Sequence, residues 1–260
     1  MSKSLSTLEI NQQLEKALEA QQTVTQAMRL TPPHVGRKLL IYPDGSRLGS
    51  LGSEQLDQAA QQDAQKMMSQ ARGQLARSMA YELPDGGLAR IFIEVFFPPP
   101  HLVIFGGVHI AVPLVTFAKT LGFRVTLADP RTTFANSKRF PNVDEIIPEW
   151  PQEALKQITI GPSTYCVILT HDPKLDEPAL EGVLGKNAAY IGAIGSRKTH
   201  IERFERMARY GISAEQLAEV YAPIGLNLKA DTPEEIALSI MAEIVAVRRG
   251  GPAGFLKDKK

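Results

Sequence analysis

The stretch that most constrains the fold is residues 101–131, HLVIFGGVHIAVPLVTFAKTLGFRVTLADPR. It contains a short apolar run, two glycines, an amphipathic segment of helical length and a second apolar run that ends at an acidic residue. This order predicts a strand, a tight turn, a helix and a second strand parallel to the first. Nucleotide-binding α/β domains begin in this way.

The glycine turn departs from the usual dinucleotide pattern at one position. Gly106, Val108 and Ala111 stand where a dinucleotide site has its three small residues. A β-branched residue at the second position would crowd a pyrophosphate lying across the helix N-terminus. Asp129, at the end of the second strand, can accept hydrogen bonds from a ribose or another polar edge. The pattern therefore predicts a Rossmann sheet and disfavours ordinary NAD binding. The alternative is that the glycines serve packing and that Asp129 caps the next turn.

The chain beyond residue 98 alternates between short apolar runs and helical segments. Such alternation predicts an α/β fold in which a parallel sheet carries helices on both faces. The runs that we expect to form the strands are LVIF, RVTLAD, DEII, YCVILT, AAYIGAI and VYAPIGL.

The N-terminal part shows a different pattern of apolar and polar residues. An amphipathic opening helix is followed by segments with period-two patterning, by a helix over about residues 53–73 and by the alternating strand LARIFIEVFF. The prolines at 98–100 cannot continue that strand. We therefore expect a small α+β domain over residues 1–97 and a Rossmann-like domain over residues 98–260.

Composition excludes several classes of function. The chain has 29 basic and 28 acidic side chains, so bulk charge attracts neither nucleic acid nor an anionic membrane. It has no apolar run of the roughly 20 residues that a spanning helix needs and no signal-peptide pattern. Its single cysteine, Cys166, fits a reducing compartment. We therefore expect a cytoplasmic protein that binds no nucleic acid and no membrane.

Four of the expected strands end in polar residues, in FGGVH, ADPR, LTHD and IGAIGSRK. Ligands of open α/β sheets bind beyond the carboxyl ends of the strands, so these ends predict one pocket. For each residue taken alone, the alternative is a turn residue whose hydrogen bonds are satisfied locally. The predicted site consists of Gly106, Gly107, Val108, His109, Asp129, Arg131, Thr170, His171, Asp172, Gly195, Ser196 and Arg197.

Arg197 and Lys198 fall in the first turn of a predicted helix, where cations oppose the helix dipole. A bound phosphate or carboxylate would offset that repulsion, although both side chains could instead extend into solvent. No nucleophile with an adjacent base is evident, so we predict no catalytic residue, and the sequence identifies no metal ligand.

An ordered set of segments resembles a known family. FGGVHIA, GFRVTLADPR, FANSKRFPNVDE, VILTHDPKLDEPAL, YIGAIGSRKTHIERF and PIGLNLKADTPEEIALSIMAEIV are similar, in this order, to the C-terminal Rossmann domain of the XdhC/CoxI family of xanthine dehydrogenase accessory proteins. VGRKLLIYPDGSRLGSLGSEQLDQA resembles the smaller N-terminal domain of that family more loosely.

The resemblance implies a cytoplasmic accessory protein that binds molybdenum cofactor and helps to deliver its sulfurated form to a molybdenum hydroxylase apo-enzyme. It also implies a homodimer, and a cysteine desulfurase is a further candidate partner. Two segments depart from the family pattern. Val108 replaces a glycine of the common GAGHV turn, and GSEQ at 52–55 stands where many members have GGCxE, which removes a cysteine.

The residues and the resemblance together favour a cofactor-binding chaperone. Molybdopterin carries one terminal phosphate on a flat pterin, so it needs an anion-binding helix end without room for a bridging pyrophosphate. We expect the backbone at Gly106 to His109, or the helix after Ser196, to bind the phosphate, and Asp129 and residues 170–172 to face the heterocycle. The alternative function is an NAD(P)-dependent oxidoreductase, in which His171 and Asp172 could supply a base.

Overall fold

A computed structural model describes residues 6–20, 22–70, 75–84 and 86–258. They form two compact units, Met1–Pro98 and Pro99–Lys260. No helix among these described residues combines the length and the apolar character needed to cross a membrane.

The first unit is a five-stranded antiparallel sheet with two helices. Its strands lie in the order β3-β2-β1-β5-β4. The elements are α1 (Thr7–Glu19), β1 (Val24–Arg29), β2 (Lys38–Ile41), β3 (Arg47–Gly49), α2 (Glu54–Gln70), β4 (Leu75–Glu82) and β5 (Leu88–Phe96). The predicted end of the second helix, at residues 71–73, lies outside the described residues.

Alternation and capping explain why these segments fold as they do. Along β5, every second side chain is buried against α2: Ala89, Ile91, Ile93 and Val95. The opening helix begins at a capping box, in which Ser6 and Glu9 each satisfy a backbone amide of the other. The sequence did not predict β4, because it is an edge strand whose side chains are mostly exposed and show no apolar alternation.

The second unit is a six-stranded parallel sheet. Its elements are β6 (His101–Phe105), α3 (Ala111–Thr120), β7 (Arg124–Ala128), β8 (Glu145–Ile147), α4 (Pro151–Gln157), β9 (Thr164–Ile168), α5 (Pro173–Val183), β10 (Tyr190–Ala193), α6 (Arg197–Arg209), α7 (Ala214–Leu217), β11 (Val220–Tyr221), α8 (Pro233–Arg249) and a 3₁₀ turn (Leu256–Asp258). Its strand order is β11-β10-β9-β6-β7-β8, and each pair of neighbours in that order is parallel. The first strand of the unit, β6, therefore lies between β7 and β9, which is where the chain reverses its direction across a doubly wound sheet.

Helices cover both faces of this sheet. Alternate residues of β6 point to opposite sides: Leu102 and Ile104 join a core with α3 and α8, whereas Val103 and Phe105 join a core with α4, α5 and α6. The predicted α/β class, with a Rossmann-like parallel sheet preceded by an antiparallel α+β part, is confirmed.

Candidate functional site

The candidate site lies at the carboxyl edge of the parallel sheet, on either side of the reversal point. Phe105, the last residue of β6, pairs with Ala128 of β7 and with Ile168 of β9. Ile168 in turn pairs with Ala193 of β10. Because the four strands end level with one another, the structure brings all of the predicted site residues to the same edge.

The two glycines after β6 are required by close packing. Gly106 has φ +112°, and a Cβ there would lie 2.5 Å from the Thr170 methyl group. A Cβ on Gly107 would lie 2.7 Å from the carbonyl oxygen of Phe134. The turn therefore fits against both the β9 tip and the loop after β7.

The N-terminus of α3 presents free backbone donors at this edge. Among the described residues, the amides of Val108, His109 and Ile110 have no acceptor, and Ile110 caps the helix without a side-chain hydrogen bond. Free amides at a helix N-terminus form a site for an anion. The Val108 side chain is half-buried and packs against the core of α3 and α8, so it is directed at least partly away from solvent.

Groups of this chain occupy the hydrogen-bonding positions of the Asp129 carboxylate, at the tip of β7. Its side chain is buried and accepts four hydrogen bonds, from the Gly107 amide (2.8 Å) and from the backbone N, Nε and Nη2 of Arg131 (2.9, 2.8 and 2.7 Å). Burial raises the pKa of this carboxyl, but the hydrogen bonds from Arg131 and Gly107 outweigh burial and hold the pKa below its ordinary value. A carboxylate has about four lone-pair positions, so none remains for a ligand.

Two arginines and one phenylalanine surround the glycine turn. Arg139 Nη1 donates to the carbonyl oxygens of Gly107 (2.8 Å) and Phe134 (3.0 Å). The guanidinium carbon atoms of Arg131 and Arg139 lie 4.4 and 5.6 Å from the centroid of the Phe134 ring. The backbone of Gly107 is thus held at its N–H by Asp129 and at its C=O by Arg139.

A sealed polar network supports the tips of β9 and β10. Asp176 of α5 accepts hydrogen bonds from the Thr170 amide and hydroxyl and from Arg203 Nη2, the last at 2.7 Å. Arg203 of α6 also donates to the Ile194 carbonyl. Burial raises the pKa of Asp176 above its ordinary value, although Thr170 and Arg203 lower it in part. The network ties two helices to two strand ends.

His200 extends this network. Arg203 Nη1 donates to His200 Nδ1 at 3.2 Å, so the neutral ring carries its proton on Nε2. Nε2 is buried beside Gly195, whose backbone raises the pKa of the ring in part. Burial and the charge of Arg203 lower the pKa of His200, which keeps the ring neutral near pH 7.

The remaining predicted residues include two helix caps. Asp172 accepts a hydrogen bond from the Lys174 amide at the start of α5, and Ser196 accepts one from the Thr199 amide at the start of α6. His171 is exposed with φ +63°, a backbone region that non-glycine residues rarely occupy. Arg197 and Lys198 extend into solvent.

The tips of β7 and β9 are within electrostatic reach of each other across β6. Asp129 raises the pKa of Arg131 through its hydrogen bonds, and the charges of Asp172 and Asp176 raise it further. Acids on both sides of β6 therefore act on the Arg131 guanidinium.

The sequence did not point to several residues of this edge, namely Phe134, Arg139, Asp176, His200 and Arg203. The sequence did contain one signal for the buried pair Asp176 and Arg203. Asp176 lies on the apolar stripe of α5 with Leu175, Ala179 and Leu180, and Arg203 lies on the buried stripe of α6 with Met207. A charged residue in such a stripe indicates a buried ion pair.

The described residues offer neither a cluster of metal ligands nor a reactive thiol. The described residues contain no group of three or more histidine, cysteine or acidic side chains that could hold a metal ion. Cys166 is buried inside β9, and burial raises the pKa of its thiol to about 12. Its thiol is therefore protonated near pH 7.

The strand order defines a Rossmann-type α/β domain. Comparison with known families is more specific: residues 102–244 match the XdhC Rossmann domain, and residues 20–78 match the XdhC and CoxI family. The chain belongs to the XdhC/CoxI family, as the sequence motifs indicated.

Three curated relatives are similar to this chain. An uncharacterized Escherichia coli protein, YqeB, is 29% identical over 235 residues, which are 87% of this chain and 43% of YqeB. A probable xanthine dehydrogenase subunit from Bacillus subtilis is 32% identical over 159 residues, 61% of this chain and 46% of that protein. The molybdenum cofactor insertion chaperone PaoD of Escherichia coli is 33% identical over 99 residues, 38% of this chain and 30% of PaoD. The chain spans less than half the length of each of these relatives.

A solved structure confirms the fold. A crystal structure of a protein described as a xanthine dehydrogenase from Bacillus halodurans superposes with a TM-score of 0.54, covering 97% of this chain and 98% of that one at 22% identity.

Proposed function

We propose that this chain is an accessory protein that binds molybdenum cofactor at the carboxyl edge of its parallel sheet and aids its insertion into a hydroxylase of the xanthine dehydrogenase type. The observation that carries the proposal is a preformed set of donors at that edge: the free amides of Val108 to Ile110 lie at the turn that Arg131 and Arg139 surround. Family membership and the names of two relatives, an insertion chaperone and a dehydrogenase subunit, support it.

The residues of this edge fit the chemistry of molybdopterin. Its single terminal phosphate matches the amides at the start of α3 together with the guanidinium of Arg131. Its flat pterin needs hydrogen-bonding groups and a wall, which the tips of β9 and β10 offer through Thr170, His171 and Ser196. When bound, the cofactor supplies a metal centre held by sulfur ligands. The chain itself would contribute binding and orientation.

The cysteine of this chain is poorly suited to handling sulfur. Cys166 is the single cysteine of the sequence, and it is buried with a protonated thiol. A thiolate, not a thiol, is the nucleophile in sulfur transfer. If sulfuration occurs on the bound cofactor, we therefore expect a separate cysteine desulfurase to provide the sulfur.

The second candidate is an NAD(P)-dependent oxidoreductase. One observation favours it: the strand order of the parallel sheet is the order of dinucleotide-binding domains. The state of Asp129 opposes its NAD-dependent form, because the carboxylate that would accept a ribose diol is already saturated by Gly107 and Arg131.

The direct test of function is cofactor retention. The protein would be purified from cells that make molybdenum cofactor and from cells that cannot, and bound pterin would be oxidised and identified by fluorescence. We expect pterin only in the first preparation. The proposal fails if no pterin is retained while NADH binds at micromolar concentration and supports hydride transfer to a carbonyl compound.

Partner and assembly are tested on the same preparation. We expect the loaded protein to capture a molybdenum hydroxylase apo-enzyme and to run as a homodimer in sedimentation. Fractionation of the producing cells should place it in the cytoplasm. Capture of the hydroxylase without any retained pterin would instead indicate a scaffold.

A further inference from the structure

The loop after β7 has more basic than acidic side chains. Within residues 129–139, Asp129 is the one acid, whereas Arg131, Lys138 and Arg139 are basic. Arg131 neutralises Asp129, but Arg139 has no carboxylate partner among the described residues. Arg139 is nevertheless fixed, since carbonyl oxygens of Gly107 and Phe134 hold its Nη1.

Arg131 is placed both to cover Asp129 and to face a ligand. Its Nε and Nη2 bond the carboxylate, and its Nη1 has no partner among the described residues. The Arg131 side chain is 36% exposed, whereas that of Asp129 is 0% exposed. A ligand that reaches the β7 tip therefore contacts the guanidinium of Arg131, whereas an NAD site presents a free carboxylate at this position.

The two groups select opposite chemistry. A free carboxylate at the end of the second strand accepts hydrogen bonds from a ribose diol, whereas an arginine there accommodates a phosphate. Guanidinium groups bind phosphate oxygens with short, charge-assisted hydrogen bonds, often two at a time. Free amides at the start of α3 add donors for the same anion.

We propose that Arg131 sets the ligand specificity of this edge: it masks Asp129 from hydroxyl donors and, with Arg139 beside it, recognises a phosphate monoester. The inference rests on the proposed function, because it takes the edge to be a ligand site. A phosphate monoester could belong to a phosphorylated pterin or to a nucleotide with a 2′-phosphate. In both cases we expect the phosphorylated form to bind more tightly than the same molecule without its phosphate.

Two pairs of probes measure this preference by calorimetry with the purified full chain. One pair is the oxidised pterin of the cofactor with its phosphate and after its removal by phosphatase. The other pair is NADPH and NADH, which differ by the 2′-phosphate. We expect at least one pair to bind and its phosphorylated member to bind about tenfold more tightly or better. The pair that shows the preference identifies the source of the phosphate.

The variant R131Q should reduce the preference to within about twofold. The matched control is R206Q, because Arg206 also bonds an acid at 2.7 Å and has a side chain 37% exposed, but pairs α6 with Glu177 of α5 instead of the β7 tip. R206Q should keep the wild-type preference. If R131Q does not fold, the double variant D129N/R131Q leaves no unpaired carboxylate and should show the same loss of preference.

Three results would overturn the inference: no binding of any of the four probes, no preference in the wild type, or an unchanged preference in the folded R131Q or D129N/R131Q protein. The outcome is separable from that of the proposed function. A nucleotide preference without pterin retention would support Arg131 as the specificity residue and reject the chaperone, whereas retained pterin with no phosphate preference would do the reverse.

Discussion

Two acid–arginine pairs at the edge of one sheet share one contact distance but differ in geometry and surroundings. Asp129–Arg131 and Asp176–Arg203 each join Oδ2 to Nη2 at 2.7 Å. The Arg131 side chain is 36% exposed and that of Arg203 is 3% exposed. The comparison teaches that position, not chemistry, decides what such a pair can do. The first is open to solvent at the candidate site, and the second holds the β9 and β10 tips in place.

The largest expected difference between the pairs is in stability. Arg203→Met leaves the buried Asp176 without its partner, which should lower the free energy of unfolding by about 3–5 kcal/mol. Arg131→Met removes a partly exposed guanidinium and leaves the buried Asp129 carboxylate its two backbone donors, so it should cost less, about 1–3 kcal/mol. Urea denaturation of both variants measures the difference. Equal losses would show that the two pairs do not differ as described.

A smaller loss of stability is expected from a substitution in the glycine turn beside Arg131. Gly107→Ala places a methyl group against the backbone of Phe134, so the loop that carries Arg131 must shift, at a cost of about 1–3 kcal/mol. Gly161→Ala is the control, because that position has an ordinary φ and open space around it. Thermal unfolding of the two variants tests the prediction. An undisturbed Gly107→Ala protein would contradict the close approach.

The smallest effect is a pH dependence of opposite sign at the two acids. The pKa of Asp129 is lowered in the folded protein, so its contribution to stability is present above the unfolded pKa of about 4 and is lost as the pH falls through the folded pKa. The pKa of Asp176 is raised by burial, so its ionisation reduces stability as the pH rises from about 4 through the folded pKa.

Urea denaturation across the acid range, with Asp129→Asn and Asp176→Asn compared with the wild type, checks this. The advantage of the wild type over Asp129→Asn should shrink toward low pH. Its advantage over Asp176→Asn should shrink toward neutral pH. Curves that move in the same direction would reject the difference in environment between the two acids.

Local patterns predicted most of the fold. The strands of the parallel sheet were visible as apolar runs, and α8 was visible from its capping box, in which Thr232 and Glu235 bond each other's backbone amides. These signals lie within a few residues of one another. Residues 106–111 likewise contained enough information to predict the turn and the helix after it.

Pairing over long distances in the chain could not be predicted in the same way. Asp176 and Arg203 are separated by 27 residues, and Arg139 and Gly107 by 32. Asp129 was visible as an acid at a strand end, but whether its carboxylate is free depends on the side-chain conformation of Arg131. The role of each predicted site residue in binding stays a prediction.

The clamp on the Gly107 peptide has a consequence for how this family can vary. Surface loops usually tolerate insertions and deletions. The segment from Asp129 to Arg139 holds the Gly107 N–H with its first residue and the Gly107 carbonyl with its last. Adding or removing a residue between them would break one of these two hydrogen bonds, so we expect relatives that keep this turn to keep the length of that loop as well.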